Sequence, residues 1–207
     1  DDQVLNLSPF EVRFDENRAF FTEGVELFSR ANLFYSRRVG GRPVGFDHAS
    51  SQAGDDEEII GNPQESQLFN AAKISGRSSS GLCVGIFNAI SGAAHATLRN
   101  NDTDEVRMVE TAPLTNYNVV VLDQNLPHNS YVSLINTNVW RKGNRYYNAN
   151  VTGTEFDLRT QNQQWGISGN AAVSQLLYKD RDNENAVKYF LQYGKISVNW
   201  KFDVSTS

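Results

Sequence analysis

The stretch "QWGISGNAAVSQLLY", residues 164–178, alternates between apolar and small polar residues. Successive side chains of an extended chain point to opposite faces. The apolar face carries Trp165, Ile167, Gly169, Ala171, Val173 and Leu177, and the other face carries Gly166, Ser168, Asn170, Ala172 and Ser174. Such a strand suits either a soluble sandwich with a dry core or a membrane barrel with lipid on one side and a wet lumen on the other.

Similar segments follow one another from Leu68 to Val204, separated by short polar turns. The turns "SSSG", "NLPHNS" and "TQNQQ" each lie between two segments rich in apolar and β-branched residues. The segment "AVKYFLQYGKISVNWKFDV", after the polar loop "KDRDNEN", is either one long strand or a bent pair. Since neighbours in sequence usually pair, we expect about seven or eight strands in an antiparallel up-and-down meander, and an all-β fold.

The first third of the chain is less regular. Residues 1–60 combine short apolar pieces with a Gly-rich turn, "VGGRPVG", and a solvated run, "SSQAGDDEE". We therefore divide the chain into an irregular, plug-like segment with a first strand over residues 1–60 and antiparallel hairpins over residues 61–207. A helical turn is predicted around "SPFEVRF".

Composition excludes several classes of protein. A formal net charge of −5 argues against a nucleic-acid partner, because neutralising phosphates needs a basic face. The single cysteine, Cys83, forbids an internal disulfide. With a mean hydropathy of −0.49 and no apolar run near the roughly 18 residues that a membrane helix needs, no transmembrane helix is predicted. Membrane strands remain allowed, since their alternation averages hydropathy away.

The predicted strands are long, and their polar faces are unusual. Segments of around ten residues match a tilted membrane strand, whereas strands of globular proteins usually have five or six. Ser, Asn, Gly and Ala populate the polar faces instead of the Lys, Glu and Arg that coat soluble sheets. Soluble sheets are nevertheless the commoner case. The pattern of residues alone therefore leaves both architectures open.

Longer stretches carry a resemblance to a known family. The sequence "NRAFFTEGVELFSRANLFYSRRVGGRPVG", residues 17–45, with "NAAKISGRSSSGLCVGIFNAIS", "APLTNYNVVVLDQ" and "SYVSLINTNV", resembles a family of outer-membrane proteins from Bacteroidota and their relatives. In that family a signal peptide and a domain similar to carbohydrate-binding module family nine precede a domain of unknown function, expected to be a membrane β-barrel. The match covers essentially the whole chain, with Ala19 standing where the family usually has Pro.

The resemblance implies a place and an architecture. It places the chain in the bacterial outer membrane, as the N-terminal part of a larger transmembrane β-barrel. The implied partners are outer-membrane lipid, the remaining barrel strands or another outer-membrane protein, and a glycan. The implied function is transport or assembly of polar or glycan-related solutes, without catalysis, and the family supplies no activity to carry over.

No motif for catalysis, a metal or a cofactor stands out. The histidines His48, His95 and His128 are far apart and lack the spacing of a zinc site. "GRSSSG" is better explained as a turn than as a nucleophile elbow, and the acidic loop "DRDNEN" lacks the glycine and closing Glu of a calcium loop. We therefore expect no enzyme activity, no metal and no cofactor.

One group of charged residues is a candidate ligand site, which we call the charge cluster. Its members are Asp15, Glu16, Arg18, Glu23, Arg37 and Arg38. In a barrel such charges cannot face lipid, where an Arg near the midplane costs about 2–4 kcal/mol. A salt-bridged network that fills the lumen is one explanation, and a constriction that selects or binds a polar solute is the other.

An alternative function is a soluble β-rich carbohydrate-binding module, with sugars stacked on Trp140, Tyr146, Tyr147 and Trp165. The exposure of side chains distinguishes the two architectures. A membrane strand should expose a continuous band made of Ile167, Val173, Leu177, Ile196, Val198 and Trp200. Ser168, Asn170 and Ser174 should then turn inward, whereas a soluble sandwich would bury the apolar side instead.

Overall fold

The computed structural model describes residues 16–22, 26–196 and 202–206. Its helices are short, and all of them precede the first strand. They are the α-helix α1, Ala19–Thr22, and the 3₁₀ helices Glu26–Asn32, Ser36–Arg38 and Ser50–Gln52. None of the helices in these ranges is long and apolar enough to cross a membrane. The helical turn predicted around "SPFEVRF" lies outside the described residues.

The described strands form two antiparallel sheets. The strands are β1 Glu57–Gly61, β2 Leu68–Arg77, β3 Leu82–Ser91, β4 Ala94–Asn100, β5 Val106–Ala112, β6 Thr115–Leu126, β7 Ser130–Arg141, β8 Asn148–Arg159, β9 Trp165–Leu177, β10 Glu184–Lys195 and β11 Phe202–Thr206. The large sheet has eight strands in the order β11-β10-β9-β8-β7-β6-β3-β2, and the small sheet has three in the order β1-β4-β5. The all-β antiparallel meander is confirmed, and the large sheet is open, with β2 and β11 at its edges.

The predicted hairpins occur where the turn residues placed them. "SSSG" joins β2 to β3, "NLPHNS" joins β6 to β7, and "TQNQQ" joins β8 to β9. Positive φ angles of 86° at Gly81 and of 63° and 58° at His128 and Asn129 close two of these turns. The last segment is a pair and not one strand, because β10 and β11 run antiparallel with Lys195 opposite Phe202.

The region from Leu68 onward holds ten described strands, β2 to β11, and not the predicted seven or eight. The strands that the sequence did not predict are β4 and β5. Strand β3 leads directly into β4, and β5 leads directly into β6. Strands β4 and β5 leave the large sheet and belong to the small sheet. The break falls between the pairs Ser91–Thr115 and Ala94–Ala112. Pro113 lies in this break, and it has no backbone N–H to continue a ladder.

The inner face of the large sheet carries the core. It is covered by the described part of the chain that precedes β1, which we call the N-terminal segment. The buried cluster comprises Phe21, Phe28, Val39, Phe87, Ala89, Val119, Val121 and Ile135. The Glu26–Asn32 segment lies so close to β3 that a Cβ at Gly85 would sit 2.8 Å from Leu27 Cδ2 and 3.1 Å from Phe28 Cζ. Glycine at position 85 is therefore what allows this segment to reach the sheet.

The outer face of the same sheet is apolar and exposed. Its large exposed side chains include Ile74, Ile86, Val120, Leu122, Val132, Leu134, Val173, Val187, Tyr189, Leu191 and Val204. The Glu26–Asn32 segment packs on the opposite face. Exposure is greatest towards the two edges of the sheet, reaching 68% for Ile74 and 70% for Val187.

The predicted exposure along β9 is met in part. Val173 is exposed on the outer face, whereas Ile167 and Leu177 are half-buried there. Ile196 is exposed but does not join this band, because its Cδ1 would lie 3.6 Å from a Cβ at Gly166, on the inner face. Ser168, Asn170 and Ser174 point to the inner face and are half-buried, not open to bulk solvent. Val198 and Trp200 lie outside the described residues.

Candidate functional site

The outer face carries an apolar band, which the strand register defines and which Asn136, Thr152 and Thr154 interrupt on β7 and β8. Directly opposite residues form a row across the sheet: Ile74, Ile86, Val120, Asn136, Thr152, Val173 and Val187. The next row towards the tight turns contains Gly76, Val84, Leu122, Leu134, Thr154, Ala171 and Tyr189. Opposite side chains on one face of a sheet lie about 5 Å apart, so neighbours within each row are in contact.

The apolar band ends at a row of side-chain amides, which we call the amide row. Its members are Asn88, Asn118, Asn138, Asn150, Gln175 and Asn185, each opposite the next. Asn88 Nδ2 donates to Asn118 Oδ1 at 2.8 Å, and Asn150 Nδ2 donates to Gln175 Oε1 at 3.1 Å. Amides that bond to one another lose less on leaving water than isolated ones do. This row therefore marks a polar boundary of the apolar band.

Aromatic side chains lie at both ends of the outer face. Trp140, which is 51% exposed, lies near the end of β7 beside the amide row. Trp165 begins β9 at the other end, and its ring stacks on Tyr193 with centroids 5.6 Å apart. Aromatic residues at both limits of an apolar band are typical of proteins that meet two membrane interfaces.

The four aromatic residues proposed as a sugar platform do not come together. Trp140 and Trp165 lie at opposite ends of the strands. Tyr146 is engaged by its hydroxyl, which donates to the backbone oxygen of Glu110 at 3.3 Å. The Tyr147 ring lies 5.6 Å from that of Tyr178. No single flat surface is formed from these four rings.

The structure brings two members of the charge cluster into direct contact. The Arg18 guanidinium donates to Glu16 through Nε and Nη2, each at 2.9 Å. Its remaining donors reach the backbone oxygens of Ser36 and Val39, both at 2.9 Å. The Ser36 hydroxyl donates to Glu16 Oε2 at 2.6 Å. These contacts tie the residues before α1 to the Ser36–Arg38 turn, which is a structural role.

The remaining members of the charge cluster are placed differently. Arg37 is half-buried and Arg38 is exposed, both in the turn that Arg18 holds. The Arg38 guanidinium lies 5.9 Å from the centre of the Tyr35 ring. Asp15 and Glu23 lie outside the described residues.

The contacts of Glu16 change its acidity. The hydrogen bonds from Arg18, with a further one from Ser36, lower the pKa of Glu16 from 4.5 to about 2. Burial opposes this shift but does not cancel it. Glu16 is therefore ionised throughout the physiological range and serves as a fixed anchor, not as a proton donor or acceptor.

A second polar group lies on the inner face, and the sequence analysis missed it. Asp123, whose side chain is 3% exposed, pairs with Arg30 at 3.0 Å and accepts a hydrogen bond from Ser133. Glu155 accepts from the backbone N–H of Ala31 and from the Tyr131 hydroxyl, both at 2.5 Å. A carboxylate on the buried side of "NVVVLDQ" was the available signal, because Asp123 follows Val119 and Val121 by the two-residue period.

Metal ligands do not converge in the described part of the chain, where no group of three or more His, Cys, Asp or Glu side chains is placed to hold an ion. Fold and site together define a class: an antiparallel β-sheet protein with one exposed apolar face and one face covered by its own N-terminal segment. The chain belongs to the family described as Domain of unknown function (DUF5916), which it matches over residues 1–207. No curated protein and no solved structure matches it significantly.

Proposed function

We propose that this chain forms part of the wall of a bacterial outer-membrane β-barrel with a non-enzymatic role in transport or assembly. The outer face of the large sheet contacts lipid, and the inner face lines a lumen that the N-terminal segment fills. The observation that carries the proposal is the exposed apolar band across the eight-stranded sheet. In water, an apolar patch larger than a few hundred Å² marks an interface or an aggregation hazard.

The dimensions of the outer face support this proposal. Gln175 of the amide row follows Trp165 by ten residues on the same strand. At about 3.3 Å per residue this distance is about 33 Å along the strand. A tilt of about 40° reduces it to a height of about 25 Å, which is the height of the apolar band of membrane barrels.

The contents of the inner face support a polar lumen. Strand β9 presents Ser168, Asn170 and Ser174 to this side. The Arg30–Asp123 pair attaches the N-terminal segment to the inner face. A polar interior and a packed plug are typical of wide membrane barrels. Polar solutes, including glycan-related ones, are the class that such a lumen would pass.

Two arginine substitutions on adjacent residues test the proposal. Val173→Arg should destabilise the full-length protein in a bilayer by about 2–4 kcal/mol, because Val173 contacts lipid near mid-strand. The matched substitution Ser174→Arg should cost clearly less, because Ser174 faces the lumen. Free energies of unfolding from urea titrations in lipid vesicles provide the measurement. Equal costs at the two positions would exclude a lipid-facing outer surface.

A fractionation experiment tests the compartment separately. The full-length protein should remain in the membrane pellet after an alkaline carbonate wash and should need detergent for extraction. Recovery as a soluble monomer after ordinary lysis would contradict the membrane proposal and would favour the soluble carbohydrate-binding alternative.

A further inference from the structure

A cleft opens between the Glu26–Asn32 segment and the β2–β3 hairpin. Its volume is about 580 Å³, and its lining residues are Glu26, Leu27, Arg30, Ser75, Gly76, Arg77, Cys83 and Asp123. Arg77, Cys83 and Asp123 are directly opposite one another on β2, β3 and β6, so they form the floor. Arg30 belongs to the Glu26–Asn32 segment, which forms the side of the cleft opposite this floor.

Two guanidinium groups face this cleft with unused donors. Arg30 Nε lies 3.0 Å from Asp123 Oδ1 in an ion pair without hydrogen-bond geometry, and Arg30 Cζ lies 4.5 Å above the Tyr131 ring. Arg77 donates through Nε to Cys83 Sγ at 3.0 Å. Within the described residues, the terminal Nη1 and Nη2 groups of Arg30 and Arg77 have no hydrogen-bond partner. Each guanidinium therefore presents its two terminal nitrogens to a ligand.

The two arginines are held in place by contacts that leave these donors free. Asp123 is fixed by the Ser133 hydroxyl and lies at the bottom of the cleft, where it neutralises Arg30. Arg77 has a sulfur and not a carboxylate as its hydrogen-bond partner, so its charge is the less compensated of the two. Glu26, which is exposed, is the other acidic group at the rim.

We propose that this cleft binds the oxyanion group of a small solute, a carboxylate or a phosphate, through the terminal nitrogens of Arg30 and Arg77. Guanidinium forks match these planar or tetrahedral oxygens geometrically, which makes arginine the preferred residue for them. The exposed hydroxyl of Ser75 offers one further donor at the same cleft. The site does not depend on whether the outer face contacts lipid.

Calorimetric titration of the full-length protein tests this site. Inorganic phosphate and succinate are titrated separately, with chloride at matched ionic strength as the blank. We expect saturable binding of at least one of the two anions. Arg77→Gln should weaken that binding about tenfold or more, because a charge-assisted hydrogen bond is lost. Glu26→Gln should strengthen it, because a like charge at the rim is removed.

The controls separate the site from general effects of charge. Arg99→Gln removes an exposed arginine that pairs with Glu58 on the small sheet, far from the cleft, and should leave the affinity unchanged. Arg77→Lys keeps the charge but not the fork and should give an intermediate affinity, which also serves if Arg77→Gln does not fold. Binding of phosphate alone or succinate alone would assign the solute class. Absence of saturable binding for both anions, or equal affinity in Arg77→Gln and wild type, would overturn the proposal.

Discussion

At the scale of single residues, Glu16 and Arg18 connect the residues before α1 to the Ser36–Arg38 turn. Arg18 uses Nε, Nη1 and Nη2 on protein oxygens, and its Cζ lies 4.1 Å above the Phe21 ring. A guanidinium engaged in this way has little capacity left for a solute. The structural explanation of these two members of the charge cluster is therefore the better supported one.

The lowered pKa of Glu16 predicts a pH dependence of stability. Because its pKa falls from 4.5 to about 2 on folding, its contribution is fully present above about pH 4.5 and is lost as the pH falls towards 2. We expect Glu16→Gln to lower the free energy of unfolding at pH 7, and we expect its difference from wild type to shrink as the pH falls towards 2. Urea titrations across this range measure the difference. A difference that stays constant with pH would contradict the assignment.

At the scale of elements, aromatic packing holds the N-terminal segment on the inner face. Phe87 of β3 is the centre of this packing, with ring centroids 5.8 Å from Phe21, 6.4 Å from Phe28 and 5.2 Å from Phe34. Each such pair adds to the hydrophobic gain of burial. The N-terminal segment thus depends on few aromatic rings, of which Phe28 is the most deeply buried.

Removing the Phe28 ring should therefore release this segment. Phe28 is 2% exposed, so the substitution Phe28→Ala should lower the free energy of unfolding by about 3–5 kcal/mol. The matched variant Phe69→Ala removes a ring that is 61% exposed and should change stability by about 0.5 kcal/mol or less. Rates of trypsin cleavage after Arg30 measure the release. Similar cleavage rates in the two variants would show that the segment is not held by its buried aromatic residues.

The hairpins of the large sheet could be predicted because alternation and turn chemistry are local. A period of two and residues such as Gly81 and Asn129 are visible without tertiary information. Strands β4 and β5 were missed because their segments are short and contain charged residues such as Arg99 and Arg107. Strand β4 is also paired with β1, which is distant in sequence, and this pairing is not visible locally.

The functional surfaces were harder to predict for the same reason. The amide row needs the register of six strands before its members become neighbours, and no single segment reveals it. The cleft combines Arg30 from an irregular segment with Arg77 and Asp123 from separate strands. The sequence shows only the order of charged and apolar residues within one strand, and this order was the available signal for Asp123.

At the scale of the whole molecule, the large sheet presents two edges, β2 and β11. Strand β2 spans ten residues, Leu68–Arg77, contains no proline, and exposes Phe69 and Ile74. Edges of this kind leave backbone N–H and C=O groups unpaired and attract another strand. We propose that in the complete protein the β2 edge pairs with a further barrel strand or with another outer-membrane protein.

Hydrogen exchange of the full-length protein in detergent tests this pairing. In an antiparallel edge strand about half of the amides point away from the sheet and exchange fast. If β2 is paired on both sides, nearly all of its amides should exchange as slowly as those of the central strand β7. The edge strand β5 of the small sheet lies outside the apolar band and is the internal reference. Alternating fast and slow amides along β2, as expected for an edge, would mean that the sheet stays open there and that no further strand is added.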